Sequence, residues 1–180
     1  MSRIARLLLL PLIAMLAACA SLPTAPSGEL TLRLTPASLG RELALQQRMT
    51  ISAQGRSHQL DVSIEVDADA VRMAVIDLGQ TVARLEWDGH ELTESRAQGW
   101  PATVTGSRVL SDLQLVHWPL EAIRPALPSG WSVQMVDGAR VLRFGDATMV
   151  RVQYPAPGAA ELDNVAAGYR LRLDAWPVTR

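Results

Sequence analysis

From residue 42 onward the chain alternates apolar and polar positions in short runs separated by turn signals, and a period of two marks half-buried strands. Leu43, Leu45, Met49 and Ile51 alternate with Glu42, Ala44, Gln46, Arg48 and Thr50, which predicts a first strand with one apolar face. After a turn at Gln54-Gly55-Arg56-Ser57, Leu60, Val62, Ile64 and Val66 alternate with Asp61, Ser63 and Glu65. Asp67 to Ala70 turns the chain again, and Val71, Met73 and Val75 share a face before a tight connection at Asp77-Leu78-Gly79-Gln80. Val82 to Trp87 reads as the next strand. Asp88-Gly89, the strongest short hairpin signal in the chain, predicts a return into a short strand over His90 to Arg96.

The period then changes. Between Ser107 and His117, Val109, Leu110, Leu113 and Val116 recur at three- and four-residue spacings, the stripe of a helix. Trp118-Pro119 ends it, and Pro119 can open a second short helix running to about Pro125, because a first helical turn has no use for the missing N–H. Pro128-Ser129-Gly130 returns the chain to strand. Trp131 to Val136, Ala139 to Phe144, Thr148 to Tyr154 and Tyr169 to Trp176 are predicted strands, separated by Asp137-Gly138, Gly145-Asp146 and a Pro/Gly/Ala-rich loop over Pro155 to Gly168. The fold class expected is mainly β with one helical insert.

Before the strands, Arg3 and Arg6 precede an apolar stretch from Leu7 to Leu16, the arrangement of a secretory signal. That stretch is shorter than the roughly 20 apolar residues of a membrane span. Leu16-Ala17-Ala18-Cys19 closes it on the only cysteine and resembles the lipobox of bacterial lipoproteins. The resemblance implies a diacylglycerol on the Cys19 sulfur, cleavage before it and an acyl group on the new amino terminus; no other cofactor is expected. Three acyl chains anchor a protein stably, where a single chain binds only marginally. Residues 1–18 are thus expected to be signal peptide, 19–28 a lipidated tether with Pro23, Pro26, Ser27 and Gly28, and 29–180 one folded domain. Ala20, where an aspartate would hold a lipoprotein at the inner membrane, resembles the pattern sent to the outer membrane, periplasmic face.

Beyond residue 18, 15 arginines stand against 18 acidic residues, and the chain has no lysine. This balance argues against nucleic acid, and the lack of lysine excludes Schiff-base chemistry. A single cysteine excludes an internal disulfide. His58, His90 and His117 have no metal-ligand spacing, and Gly106-Ser107 is not a nucleophile elbow, so no enzyme is expected.

Four stretches, in order, carry a wider resemblance: Val71 to Thr81, a strand ending in Leu78 on a tight turn; His117 to Arg124, a proline-led helix; Trp131 to Tyr154, two hairpin turns with their strands; and Tyr169 to Trp176, a closing strand. Together they resemble the LolA/LolB-like family, the membrane-anchored LolB receptor more than the soluble LolA carrier. A narrower resemblance is to uncharacterised LolB-like lipoproteins found beside aryl polyene and lipid synthesis enzymes.

The family resemblance implies an incomplete antiparallel β-barrel roofed by a helical lid, a monomer that accepts acylated or other hydrophobic cargo from a LolA-like periplasmic carrier and releases it into outer-membrane lipid. On that reading Leu78 touches the bilayer, and Leu43, Leu45, Met49, Ile51, Leu60, Val62, Ile64, Met73, Val75, Trp118, Leu120 and Ile123 are candidates to line the cavity. The main alternative is a non-catalytic lipoprotein scaffolding an envelope or polyene-lipid assembly complex, which predicts a filled core and a buried Leu78. A hydrolase of lipid or polyene esters would need a polar pair inside the cavity.

Overall fold

A computed structural model describes residues 30–177. The expected signal peptide, Cys19 and the rest of the tether lie outside the described residues. Ten antiparallel strands form a single sheet: β1 (Leu43–Ala53), β2 (Arg56–Val66), β3 (Val71–Asp77), β4 (Gln80–Trp87), β5 (Leu92–Arg96), β6 (Trp131–Val136), β7 (Ala139–Phe144), β8 (Ala147–Ala156), β9 (Ala159–Asn164) and β10 (Tyr169–Pro177). Their order in the sheet is β5-β4-β3-β2-β1-β10-β9-β8-β7-β6. Two five-strand meanders are therefore joined through the β1/β10 pair, where Met49 faces Leu173 and Ile51 faces Leu171.

The sheet stays open because its two edge strands, β5 and β6, flank the helical insert. Where a closed barrel would pair them, the chain instead runs through α1 (Gly106–His117) and α2 (Leu120–Ile123). The architecture is consistent with a half-barrel. Helix α1 begins at Thr105, whose side chain accepts a hydrogen bond from the Arg108 N–H, and at Gly106, whose N–H donates to Glu94 Oε2 at 2.9 Å. Carboxylates suit helix N-termini, and Glu94, on β5, ties the start of the insert to the sheet edge it leaves. At the other end, Arg140 of β7 donates to the Leu115 carbonyl and the Tyr154 hydroxyl donates to the Val116 carbonyl at 2.8 Å, so the last turn is held by the second meander.

The core follows the period-two pattern. Val62, Ile64, Val71, Leu142, Val152 and Leu162 are almost fully buried on the inner face of the sheet, and Leu110, Trp118 and Ile123 bring the insert against them. A segment ahead of β1 straps the outside of α1. The Leu32 N–H donates to Ser111 Oγ at 3.0 Å, and Trp118 Nε1 donates to Ser38 Oγ at 3.0 Å. Positions 107, 111, 114 and 118 of the insert thus meet the strap, and 109, 113 and 116 face the sheet, a division that helical periodicity permits.

Three local readings are corrected. The segment 155–168 is not one loop, since β9 lies inside it and pairs with both β8 and β10. Asp88-Gly89 is not a two-residue hairpin turn: Trp87 pairs with Leu92, and the connection spans 88–91 because the Asp88 carboxylate accepts the His90 and Glu91 N–H groups at 2.7 Å. His90 consequently lies before β5 rather than in it. A 3-10 turn at Pro36–Leu39, which the hydrophobic pattern did not announce, completes the strap.

Candidate functional site

Between α1 and the concave face of β1, β2, β3 and β10 lies a cavity of about 360 Å³. Its floor is built by the inward positions of neighbouring strands: Met49 and Ile51 from β1, Val62 from β2, Met73 and Val75 from β3, Leu171 and Leu173 from β10. Its roof is the inner side of α1, with Val109, Leu113 and Val116. Trp100, Thr103 and Val104, from the segment leading into α1, form one wall, and the Trp100 indole N–H donates to the Val104 carbonyl at 2.9 Å, which fixes the ring.

The meander fixes where this cavity opens. The turns at 54–55, 78–79 and 165–168 all fall at the same end of the sheet, because alternate strands run in opposite directions. Gln54, Ala167 and Gly168 border the cavity from two of those turns. Leu78 occupies the third and is 98% exposed. Its φ is +48°, with Gly79 at +81°, so a bulky side chain sits in the left-handed region where asparagine or glycine is the ordinary choice. Val165, on the 165–168 turn, is also exposed.

A polar cluster stands at the mouth. The Tyr169 hydroxyl donates to Asp112 Oδ2 and accepts from Asn164 Nδ2 at 3.0 Å, and the Arg108 guanidinium lies over the Tyr169 ring at 5.6 Å. Burial, then the negative charge of Asp112, pushes the Tyr169 hydroxyl well above the ordinary phenol range, so it stays protonated as a donor. Arg108, Asp112 and Ala167 also border a second space of about 200 Å³ on the other side of α1, lined by Leu142, Met149 and Trp131.

At the opposite end a third compartment, of about 230 Å³, is lined by Leu43, Leu45, Tyr154, His117 and Arg41. Gln47, Val116 and Leu173 border both this compartment and the main cavity, so the two adjoin. Gln47 is only 4% exposed and its Oε1 has no hydrogen-bond partner. A buried acceptor left unpaired costs about 1–3 kcal/mol. His117 Nε2 is likewise buried without a partner, and burial, with Arg41 and Arg140 adding positive charge, holds the imidazole at a pKa of about 4.

Of the residues singled out from the sequence, Met49, Ile51, Val62, Met73 and Val75 line the main cavity. Leu43 and Leu45 line the lower compartment instead. Leu60, Ile64 and Ile123 are buried in the core, and Leu120 packs partly buried against it. Trp118 does not reach the cavity: it is fully buried, with its indole N–H shared between Ser38 Oγ and the Thr35 carbonyl. His58 lies on the surface 3.3 Å from Asp77. Gln47 was missed although its signal was present. It is the one polar residue at an inward position within the alternation of Leu43, Leu45, Met49 and Ile51.

One family profile, described as "Protein of unknown function (DUF3261)", matches residues 44–176. No curated protein matches the chain.

Proposed function

The chain belongs to the DUF3261 family, and we propose that it is a non-catalytic, lipid-anchored lipoprotein of the outer membrane that takes an acyl chain into its half-barrel and passes it to the bilayer. On this reading it works as a LolB-like receptor, fed by a LolA-like soluble carrier, with Cys19 as its anchor. The observation that carries the reading is the apolar cavity of about 360 Å³ whose mouth shares one end of the sheet with a fully exposed leucine.

Each methylene buried in such a cavity gains about 0.8 kcal/mol over water. A ligand held there can move between carrier, receptor and membrane without exposing its chain, and no covalent step is needed. If a methylene fills roughly the ~30 Å³ share of a water molecule, the cavity takes about a dozen. That is one chain, not the three of a triacylated lipoprotein. Leu78 then serves as the element that enters the headgroup region while the mouth discharges. A scaffold protein would need neither the space nor the exposed leucine, which is why the transfer reading is preferred.

The test is native mass spectrometry of the full chain extracted mildly from membranes that contain it. A co-purifying acylated peptide or lipid is the expected result. A ligand-free protein that also fails to bind a fluorescent fatty acid would overturn the proposal in favour of a scaffold.

A further inference from the structure

The cavity is not uniformly apolar, and its one deep polar feature is specific in position. Gln47 points inward from β1, and its partners across the sheet are Val62 on β2 and Ala175 on β10. Neither has a side chain that could donate to the amide. Gln47 stands where the upper cavity meets the lower compartment, which His117 also lines from the facing helix. Gln47 and His117, delivered by two different elements and each carrying a buried polar atom without a partner, therefore both line one space of about 230 Å³ together with Leu43, Leu45 and Leu173. Buried polar groups in folded proteins are almost always paired. A plain hydrocarbon chain in this channel would pass the Gln47 side chain without offering it a hydrogen-bond partner.

Resting on the acyl-chain reading above, we propose that the cargo carries a hydroxyl group along its chain, seated beside Gln47 at the junction of the two compartments. A hydroxyl both donates and accepts, so it pairs with the glutamine amide in either orientation and with either tautomer of the histidine. Because Gln47 borders both the upper cavity and the compartment beyond it, a chain that fills both passes it partway along its length. The class of ligand recognised is thus a long-chain hydroxy-acyl group with its hydroxyl near mid-chain, and Gln47 is the residue that distinguishes it from an unsubstituted chain.

The test uses the full chain with Cys19→Ser, loaded with a fluorescent fatty acid and titrated with octadecanoate or 12-hydroxyoctadecanoate. The hydroxy acid is expected to displace the probe at an about tenfold lower concentration, a difference of about 1.4 kcal/mol. In Gln47→Met, which keeps the length of the side chain and removes its hydrogen bonding, the preference for the hydroxy acid should be lost. A thermal melt of the variant shows that it is folded. Equal displacement by both acids in the parent chain, or a preference that survives Gln47→Met, would overturn the inference and leave the acyl cavity standing. Failure of the chain to bind the probe or either acid would overturn both.

Discussion

The side-chain amide of Gln114 pairs with both backbone groups of Leu34: Oε1 accepts the Leu34 N–H at 3.0 Å and Nε2 donates to the Leu34 carbonyl at 2.9 Å. One helical residue thus takes the place of a strand neighbour for the strap, and it is completely buried. The same carbonyl accepts the Trp87 indole N–H at 2.8 Å, which extends the tie to β4. Helix α1 is therefore not a loose cover over an open sheet. It is clamped from outside by the strap while its other side forms the cavity roof.

Gln114→Met removes both bonds while keeping the volume. The Leu34 N–H is left buried without a partner, and the carbonyl keeps only Trp87. With one group orphaned at about 1–3 kcal/mol and a second bond lost at about 0.5–1.5 kcal/mol, the loss should be about 2–4 kcal/mol. That corresponds to a thermal midpoint lower by roughly 5–12 °C for a domain of this size. Thermal melts check the magnitude, and hydrogen exchange at the Leu34 amide locates it. An unchanged midpoint would show that the strap does not hold the helix.

Leu78 should behave as a residue kept against local stability. At φ +48° its side chain opposes the left-handed backbone, a conformation that costs ordinary residues about 1–2 kcal/mol. With 98% of the residue in solvent there is no packing to offset that cost. Leu78→Asn should therefore raise stability by about 0.5–1 kcal/mol, since asparagine tolerates this region. If Leu78 enters the bilayer, the same variant should transfer a fluorescent acyl probe to vesicles more slowly. A variant that is more stable and equally fast would separate the turn from delivery.

His117 predicts how stability depends on pH. Burial, then Arg41 and Arg140, lowers its pKa from 6.5 to about 4 in the fold. Below pH 6.5 the unfolded chain takes up a proton that the folded chain refuses, so the unfolded state gains and stability falls as pH falls. The loss should accumulate at about 1.4 kcal/mol per pH unit down to about pH 4 and reach about 3 kcal/mol. It should then level off. Denaturant titrations at pH 7 and pH 4.5 measure it. His117→Gln, which does not titrate, should flatten the profile in this window, which lies mostly above that of Asp67, held near 2 by its hydrogen bonds to Arg72 and to the Ala70 and Asp69 N–H groups.

The strands of the first meander were legible because each buries one face of a twisted sheet, and a two-residue period survives translation into packing without change. Strand β9 was not, because its inward residues are Ala160, Leu162 and Asn164, only one of which is a strong apolar signal, and Pro155, Gly158 and Gly168 surround it. The cavity floor could be read from Met49, Ile51, Val62, Met73 and Val75 for the same reason as the strands. Its mouth could not: Trp100, Arg108, Asp112 and Tyr169 come together only through long-range pairing of β10 with β1 and the docking of α1. Trp118 shows the opposite failure. The family resemblance offered it as a cavity-wall candidate, but its indole N–H needed a partner, and the strap supplied one in the core.

If the cavity binds a chain, partly filling it must weaken binding without unfolding the protein. Ile51 is half-buried on β1, directly across from Leu171, and faces the cavity near its mouth. Overpacking a filled core costs about 1–3 kcal/mol. In Ile51→Trp, however, the added ring enters existing empty space, so stability should change by less than about 1 kcal/mol. The ring displaces two or three methylenes of any bound chain, and at about 0.8 kcal/mol each the affinity for a fluorescent fatty acid should fall by about 2 kcal/mol, roughly thirtyfold. Gln46→Trp, on the exposed outer face of the same strand, should leave affinity unchanged and so control for a new aromatic surface. Equal binding by both variants would mean that the probe sits elsewhere, and the space beneath α1 would then be a packing defect rather than a site.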